Sequence, residues 1–114
     1  MDPKVIEKKL ATMMDEIPEI EGLIAFENNG KVICGQTLTE LDKNKLTALS
    51  IELLKKSSEI ASTSDKGSAS TISLTTEKGY VVIETKSGFS ILALLGKEAS
   101  SSLSLVIRAL KSIF

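Results

Sequence analysis

Residues 22–36 read GLIAFENNGKVICGQ and contain the clearest local structural signal in the chain. Two β-rich runs, Gly22–Glu27 and Lys31–Gln36, flank an Asn-Asn-Gly sequence at residues 28–30. Asparagine and glycine tolerate the positive φ angles that a tight turn requires. The stretch therefore predicts a β-hairpin near the start of the chain.

Amphipathic helices are predicted on both sides of this hairpin. Asp2 followed by Pro3 is typical of a helix start, and Pro18 ends the first helix near Ile17. A longer second helix is predicted from Asp42 to Ser62, where leucines recur at spacings of three and four. A third follows one of the serines at 100–102 as its cap, with apolar residues recurring through to the end of the sequence.

Three further β-rich runs predict an antiparallel meander between the second and third helices. They are Thr71–Thr76, Tyr80–Lys86 and Phe89–Leu95. The last is apolar on nearly both faces and is therefore predicted to be a central strand, whereas the first is a candidate open edge. The predicted class is α+β in the order α-β-β-α-β-β-β-α, close to the profilin-like and longin-like architectures.

The second helix carries an unusually wide uncharged arc of about 200° when its residues are placed at 100° intervals. A sheet covers only one side of a helix, so the arc indicates a second buried surface; a helix deeply sunk in a monomer is the alternative. An open edge strand also pairs readily with another chain. We therefore predict a dimer interface formed by Leu46, Leu49, Ser50, Leu53, Leu54, Ser57, Ile72 and Leu74.

Composition excludes several classes of function. The chain has 114 residues, 42% of them hydrophobic, which predicts a single domain over residues 1–114. It has no histidine and only one cysteine, Cys34, so an internal disulfide, a common zinc site and histidine-based catalysis are not expected. We predict no enzyme activity, no cofactor and no metal.

The net charge and the length of the longest apolar run restrict the classes of partner that the sequence predicts. The net charge of -1 lacks the basic excess that nucleic acid binding requires. The longest apolar run, Ile91–Leu95, falls far short of the roughly 20 residues of a membrane span. We expect a cytoplasmic protein that binds no nucleic acid and does not insert into a membrane. Lysines prevail between residues 43 and 56, and Lys45 and Lys56 are candidate contacts for an acidic partner.

Three features of the sequence that could carry chemistry are interpreted as structural. Residues 30–37 have the glycine spacing of a phosphate-binding loop, but Gln36 replaces its lysine and the intervening residues are β-forming. Cys34 lies among apolar residues and is interpreted as a small core side chain. The serines near the end of the second helix are interpreted as partners for exposed backbone groups.

Taken together, about residues 5–114 resemble the roadblock / dynein light-chain domain family. The resemblance is carried by residues 22–33 around the hairpin glycine, Leu46–Leu49 in the long helix, the strands around Gly79, and Phe89–Leu95 before the final helix. It implies a five-stranded antiparallel sheet with the second helix on one face and the other two helices on the opposite face. It also implies homodimers or dimers with a paralogue, formed by the second helix and the edge strand.

The resemblance further implies a function. Members of the family are non-catalytic partners of small Ras-like GTPases, dynein-associated light chains, or scaffold subunits of complexes that recruit GTPases to membranes. From this we expect a dimeric module that binds and regulates or scaffolds a small Ras-like GTPase. A structural light-chain-type subunit of a motor or trafficking complex is the alternative, and a ligand-binding sensor is a third. Arg108, the one arginine, lies in the final helix, so supply of a catalytic arginine to a GTPase is not expected.

Overall fold

The computed structural model describes residues 2–86 and 88–114. Helices and strands follow one another in the predicted order. The helices are α1 (Pro3–Glu16), α2 (Lys43–Thr63) and α3 (Leu103–Lys111). The strands are β1 (Ile20–Glu27), β2 (Val32–Thr37), β3 (Thr71–Thr76), β4 (Gly79–Lys86) and β5 (Phe89–Gly96).

The five strands form one antiparallel sheet in the order β2-β1-β5-β4-β3. The central strand is β5, which is buried along nearly its whole length. This confirms the prediction from its two apolar faces. The edge position predicted for residues 71–76 is confirmed as well, since within the described residues β3 pairs with β4 alone.

The hairpin is closed by the turn that the sequence predicts. Gly30 has a φ of 95°, and the side-chain oxygen Oδ1 of Asn29 accepts a 3.0 Å hydrogen bond from the backbone N–H of Lys31. Residues beyond this turn form β2, paired with β1. Their backbone groups therefore pair with β1 in the sheet, and the segment does not adopt a phosphate-binding loop.

Aspartate caps begin the first two helices. The carboxylates of Asp2 and Asp42 each accept a 3.0 Å hydrogen bond, from the backbone N–H of Lys4 and Lys45 respectively. These bonds satisfy amides that have no partner within the helix. The first helix ends two residues before Pro18, as predicted.

The start of the last helix differs from the prediction. A short 3₁₀ helix, Lys97–Ser101, precedes α3, and Ser102 occupies the cap position. Its hydroxyl, however, donates a 2.9 Å hydrogen bond to a carboxylate oxygen of Glu19 and caps no helix amide. The hydroxyl of Ser102 therefore connects two segments that are distant in sequence. The helix also ends at Lys111, and Phe114 lies beyond it.

The sheet separates two apolar layers. Leu23 and Ala25 of β1 face α1 and α3, whereas Ile24 and Phe26 face α2, and all four are fully buried. This alternation confirms that α2 lies on one face and the other helices on the opposite face. Within the described residues, no helix is long and apolar enough to cross a membrane.

Candidate protein-binding surface

One side of α2 carries apolar residues that the sheet leaves uncovered. Leu49 and Ile60 are 52% and 69% exposed, and Leu46 and Leu53 are only partly buried against the core beneath the helix. At 100° per residue these four side chains fall within about 60° of one another. We call them the α2 flank.

The sheet extends this apolar surface towards its open edge. The register places Leu74 of β3 opposite Val81 of β4, and Val81 opposite Leu94 of β5, so the three share a face. That face is the one under α2, where Val81 and Leu94 are partly buried. Leu74 is 40% exposed, and Ile72, two residues before it, shares its face. We call these four residues the sheet row.

The sheet row ends at a strand with one free side. Among the strands that the structure describes, β3 pairs with β4 alone, so its outer backbone groups have no neighbouring strand there. Four of its six residues are exposed. Such an edge offers hydrogen-bonding groups to a further strand. Apolar side chains and free backbone groups therefore adjoin each other on this part of the molecule.

Five of the eight predicted interface residues belong to the α2 flank or the sheet row: Leu46, Leu49, Leu53, Ile72 and Leu74. The other three lie elsewhere. Ser50 is buried against the sheet, and its hydroxyl donates a 2.7 Å hydrogen bond to the carbonyl of Leu46. Leu54 packs on the core under the helix, and Ser57 is half-buried beside the flank.

The structure adds to the α2 flank and the sheet row three residues that are not among the predicted interface residues. Ile60 lies at the C-terminal end of the α2 flank, and Val81 and Leu94 continue the sheet row inward from Leu74. A signal for the two strand residues was present, because the turn before Gly79 sets the register that places Val81 opposite Leu74. Ile60 follows Leu53 by seven residues, a spacing that keeps it on the same side of the helix.

The two candidate partner-binding lysines lie on the solvent-facing side of α2. Lys45 and Lys56 are both exposed, eleven positions and therefore about 16 Å apart along the helix axis. The ammonium of Lys56 lies 3.3 Å from a carboxylate oxygen of Glu59. An exposed pair of this kind contributes little to stability, so Lys56 remains open to another anionic group.

The arginine lies on the other side of the molecule. Arg108 is in α3, which packs on the sheet face opposite α2. Among the described residues, the cationic side chains of α2 are therefore lysines.

The cysteine and the serines occupy structural positions. Cys34 is half-buried against the layer that contains α1, and burial, with a smaller effect of the nearby Glu7 carboxylate, raises the pKa of its thiol. A raised pKa reduces the reactive thiolate. The hydroxyls of Ser62 and Ser64 donate to backbone carbonyls in the last turns of α2. Within the described part of the chain, no group of three or more Cys, Asp or Glu side chains is arranged to hold a metal ion.

This geometry describes a sheet-and-helix module with uncovered apolar side chains on α2 and on the neighbouring sheet. Comparison with family models matches the Roadblock/LC7 domain over residues 8–96. The match covers most of the chain, and the protein therefore belongs to the Roadblock/LC7 domain family. A search of curated proteins found no significant match.

Solved structures with the same fold include bacterial relatives. MglB of Myxococcus xanthus superposes with a TM-score of 0.86 at 14% identity, over 98% of this chain and 84% of that one. The gliding protein MglB of Thermus thermophilus gives a TM-score of 0.84 at 11% identity, over 99% and 89%. A Roadblock/LC7 domain from Streptomyces avermitilis gives 0.79 at 15% identity, over 90% and 86%. At these identities the similarity shows a shared fold.

Proposed function

We propose that this protein is a non-catalytic, dimeric module that binds a small Ras-like GTPase and regulates or scaffolds it. The observation that carries the proposal is that the α2 flank and the open edge of β3, on the same face of the sheet, both leave apolar side chains exposed. Family membership supports the GTPase as partner, because the roadblock resemblance implies that class of partner. One solved relative is described as MglB with a tetrameric arrangement, which supports self-association of this fold.

The dimer is proposed to form through the α2 flank and the edge strand. Packing the flank against a second copy, or against a paralogue, removes the exposed leucine and isoleucine side chains from water. Pairing of β3 with its counterpart satisfies the free edge. Ser57, beside the flank, is small enough for the second helix to approach closely.

Light scattering after size exclusion tests this proposal. We expect the wild type to have twice the 12.2 kDa mass of one chain. Leu49→Asp places a carboxylate in the interface and is expected to give monomers, because an unpaired charge is costly to bury. Leu49 is 52% exposed within one chain, so the variant is expected to remain folded.

Leu105→Asp is the matched control. Leu105 is 61% exposed in α3, on the opposite face of the sheet, and its substitution is expected to leave the dimer intact. A monomeric wild type would contradict self-association through this interface, and dissociation by both variants would contradict its position on the α2 flank.

Recognition of the GTPase is proposed to involve Lys45 and Lys56. Candidate Ras-like GTPases from the source genome, each loaded with GDP or a non-hydrolysable GTP analogue, are titrated by calorimetry. We expect binding that weakens as salt is raised. Exchange of both lysines for glutamate should weaken it further, whereas Lys8→Glu with Lys111→Glu, on the opposite face, should not.

Binding by none of these GTPases would contradict the proposal. If a pull-down with this protein as bait captures coiled-coil or motor chains and no GTPase, that result would favour a structural subunit of a motor or trafficking complex. The cytoplasmic location predicted from the sequence is part of the same proposal.

A further inference from the structure

A groove of about 870 Å³ lies between the C-terminal half of α2 and the segment that leads into β3. Ile51 and Leu54 provide its apolar floor, because both also pack against the core under the helix. Ser58 lines the helix wall. Two lysines stand on opposite sides, Lys55 on α2 and Lys86 at the end of β4.

The wall facing α2 is held in place by hydrogen bonds. The backbone N–H of Ala69 donates to the hydroxyl of Ser58 at 3.3 Å. The carbonyl of Ser70 accepts a 2.9 Å bond from the backbone N–H of Thr85 in β4. These bonds fix the segment to both the helix and the sheet. A partner therefore meets a formed groove and does not have to order it, which lowers the entropic cost of binding.

The rim of the groove is positively charged. Within residues 2–86 and 88–114, neither Lys55 nor Lys86 has a carboxylate within 4.0 Å. Glu59 also lines the groove, so the lining carries two lysines against one carboxylate, and that carboxylate lies 3.3 Å from the ammonium of Lys56. Two lysines on opposite walls thus face the opening, and their charge favours a negatively charged occupant.

The groove and the α2 flank lie on opposite sides of the helix. Ile51, Lys55 and Ser58 form a row centred about 170° from the row of Leu49, Leu53 and Ile60 at 100° per residue. A molecule in the groove therefore does not compete with a partner on the flank.

We propose that this groove binds a short segment of a partner protein that carries an aliphatic or aromatic side chain next to aspartate or glutamate. The apolar side chain packs on Ile51 and Leu54, and the acidic side chains meet Lys55 and Lys86. Hydroxyls such as that of Ser58 bond the backbone of the segment. The volume falls within the range of about 300–1,000 Å³ of formed binding sites, and basic segments are repelled by the rim.

The test is selection of random 12-residue peptides displayed on phage against the full chain. Peptides recovered are synthesised with a fluorescent label, and their affinities are measured by anisotropy. We expect enrichment of sequences that combine apolar and acidic residues. The double variant Lys55→Glu and Lys86→Glu is expected to weaken their binding at least about tenfold, since attraction becomes repulsion.

Lys8→Glu with Lys111→Glu is the matched control, because it makes the same charge change on the opposite face and should alter affinity less than about twofold. Leu49→Asp should also leave peptide binding unchanged, which separates this inference from the proposed dimer. Amide NMR shifts on adding peptide are expected at Ser58 and at residues 67–70.

Several outcomes would overturn the inference. One is enrichment of basic or uncharged peptides. Another is peptide affinity of the Lys55→Glu and Lys86→Glu double variant equal to that of the wild type. A third is amide NMR shifts centred on the α2 flank. If octanoate displaces the peptide and binds as tightly as the peptide does, the groove is a site for small carboxylates. That result would also overturn the inference.

Discussion

The hydroxyl of Thr71 donates a 2.7 Å hydrogen bond to a carboxylate oxygen of Glu84, which lies directly opposite it on the neighbouring strand. Glu84 is only 4% exposed. The bond therefore satisfies a polar group that is hidden from water, and it ties the edge strand β3 to β4 on the face opposite α2. This hydrogen bond therefore holds β3, the edge strand proposed to pair with a second copy, from the sheet face opposite α2.

Thr71→Val tests that contact. The substitution keeps the shape of the side chain but leaves the buried carboxylate without its donor, and we expect a loss of about 1–3 kcal/mol in the free energy of unfolding. Urea denaturation measures the change. Thr75→Val, at an exposed site on the same strand, is the control, and an equal effect at both positions would contradict the role of the bond.

Thr47→Val is expected to stabilise the protein. Thr47 belongs to α2 and is fully buried, and its hydroxyl has no hydrogen-bond partner among the described residues. Valine fills nearly the same space without a polar atom, so we expect a gain of about 1 kcal/mol. Thermal unfolding measures it against Thr12→Val, at an exposed site on α1 where the hydroxyl bonds the carbonyl of Lys8. A lower melting temperature for Thr47→Val would show that its hydroxyl is satisfied.

Gly79→Ala should be far more harmful than Gly88→Ala. Both glycines have positive φ angles, 150° and 108° respectively. A Cβ at Gly79 would collide with the carbonyl oxygen of Leu95, whereas at Gly88 nothing lies within 4 Å. We expect losses of about 3 kcal/mol or more at Gly79 and about 1 kcal/mol at Gly88, measured by urea denaturation. Similar losses at the two sites would indicate that backbone strain alone matters.

The thiol of Cys34 should resist alkylation and make stability fall at alkaline pH. Burial raises its pKa in the folded chain, so the unfolded chain loses this proton first as the pH rises. The unfolded state then binds fewer protons, and stability declines above the ordinary thiol pKa of about 8.5. Urea denaturation from pH 7 to 10 should show a steeper decline for the wild type than for Cys34→Ala. Alkylation at pH 8 as fast as that of a free peptide thiol would contradict the raised pKa.

Much of the fold follows from local patterns in the sequence. The alternation in Thr71–Thr76 and the continuous apolar run of β5 predict which strand is at the edge and which is central. The width of the uncharged arc on α2 predicts a second apolar surface, and Leu49 is indeed exposed. Periodicity suffices here because it reports which sides of an element avoid water.

Contacts between distant segments could not be predicted in this way. The serine at 102 bonds Glu19, 83 positions earlier in the chain, and no local pattern indicates that pairing. Ser50 was assigned to the interface from its place on a helical wheel, yet it faces the sheet. A wheel gives the angle of a residue around the helix but not the direction from which the sheet approaches. The groove beside α2 likewise depends on where residues 67–70 return to the helix.

The pairing of β1 with β5 has a consequence for how the chain folds. It joins Ile20–Glu27 to Phe89–Gly96 in the middle of the sheet, so the first and last quarters of the chain must meet before that sheet exists. Closing so long a loop costs entropy before any of these bonds forms. We therefore expect refolding, followed by stopped-flow fluorescence of Tyr80, to take roughly milliseconds to seconds, well beyond the microseconds of small helical bundles. During that interval the hairpin and the meander are separate pieces with exposed edges, and high protein concentration should favour aggregation over refolding.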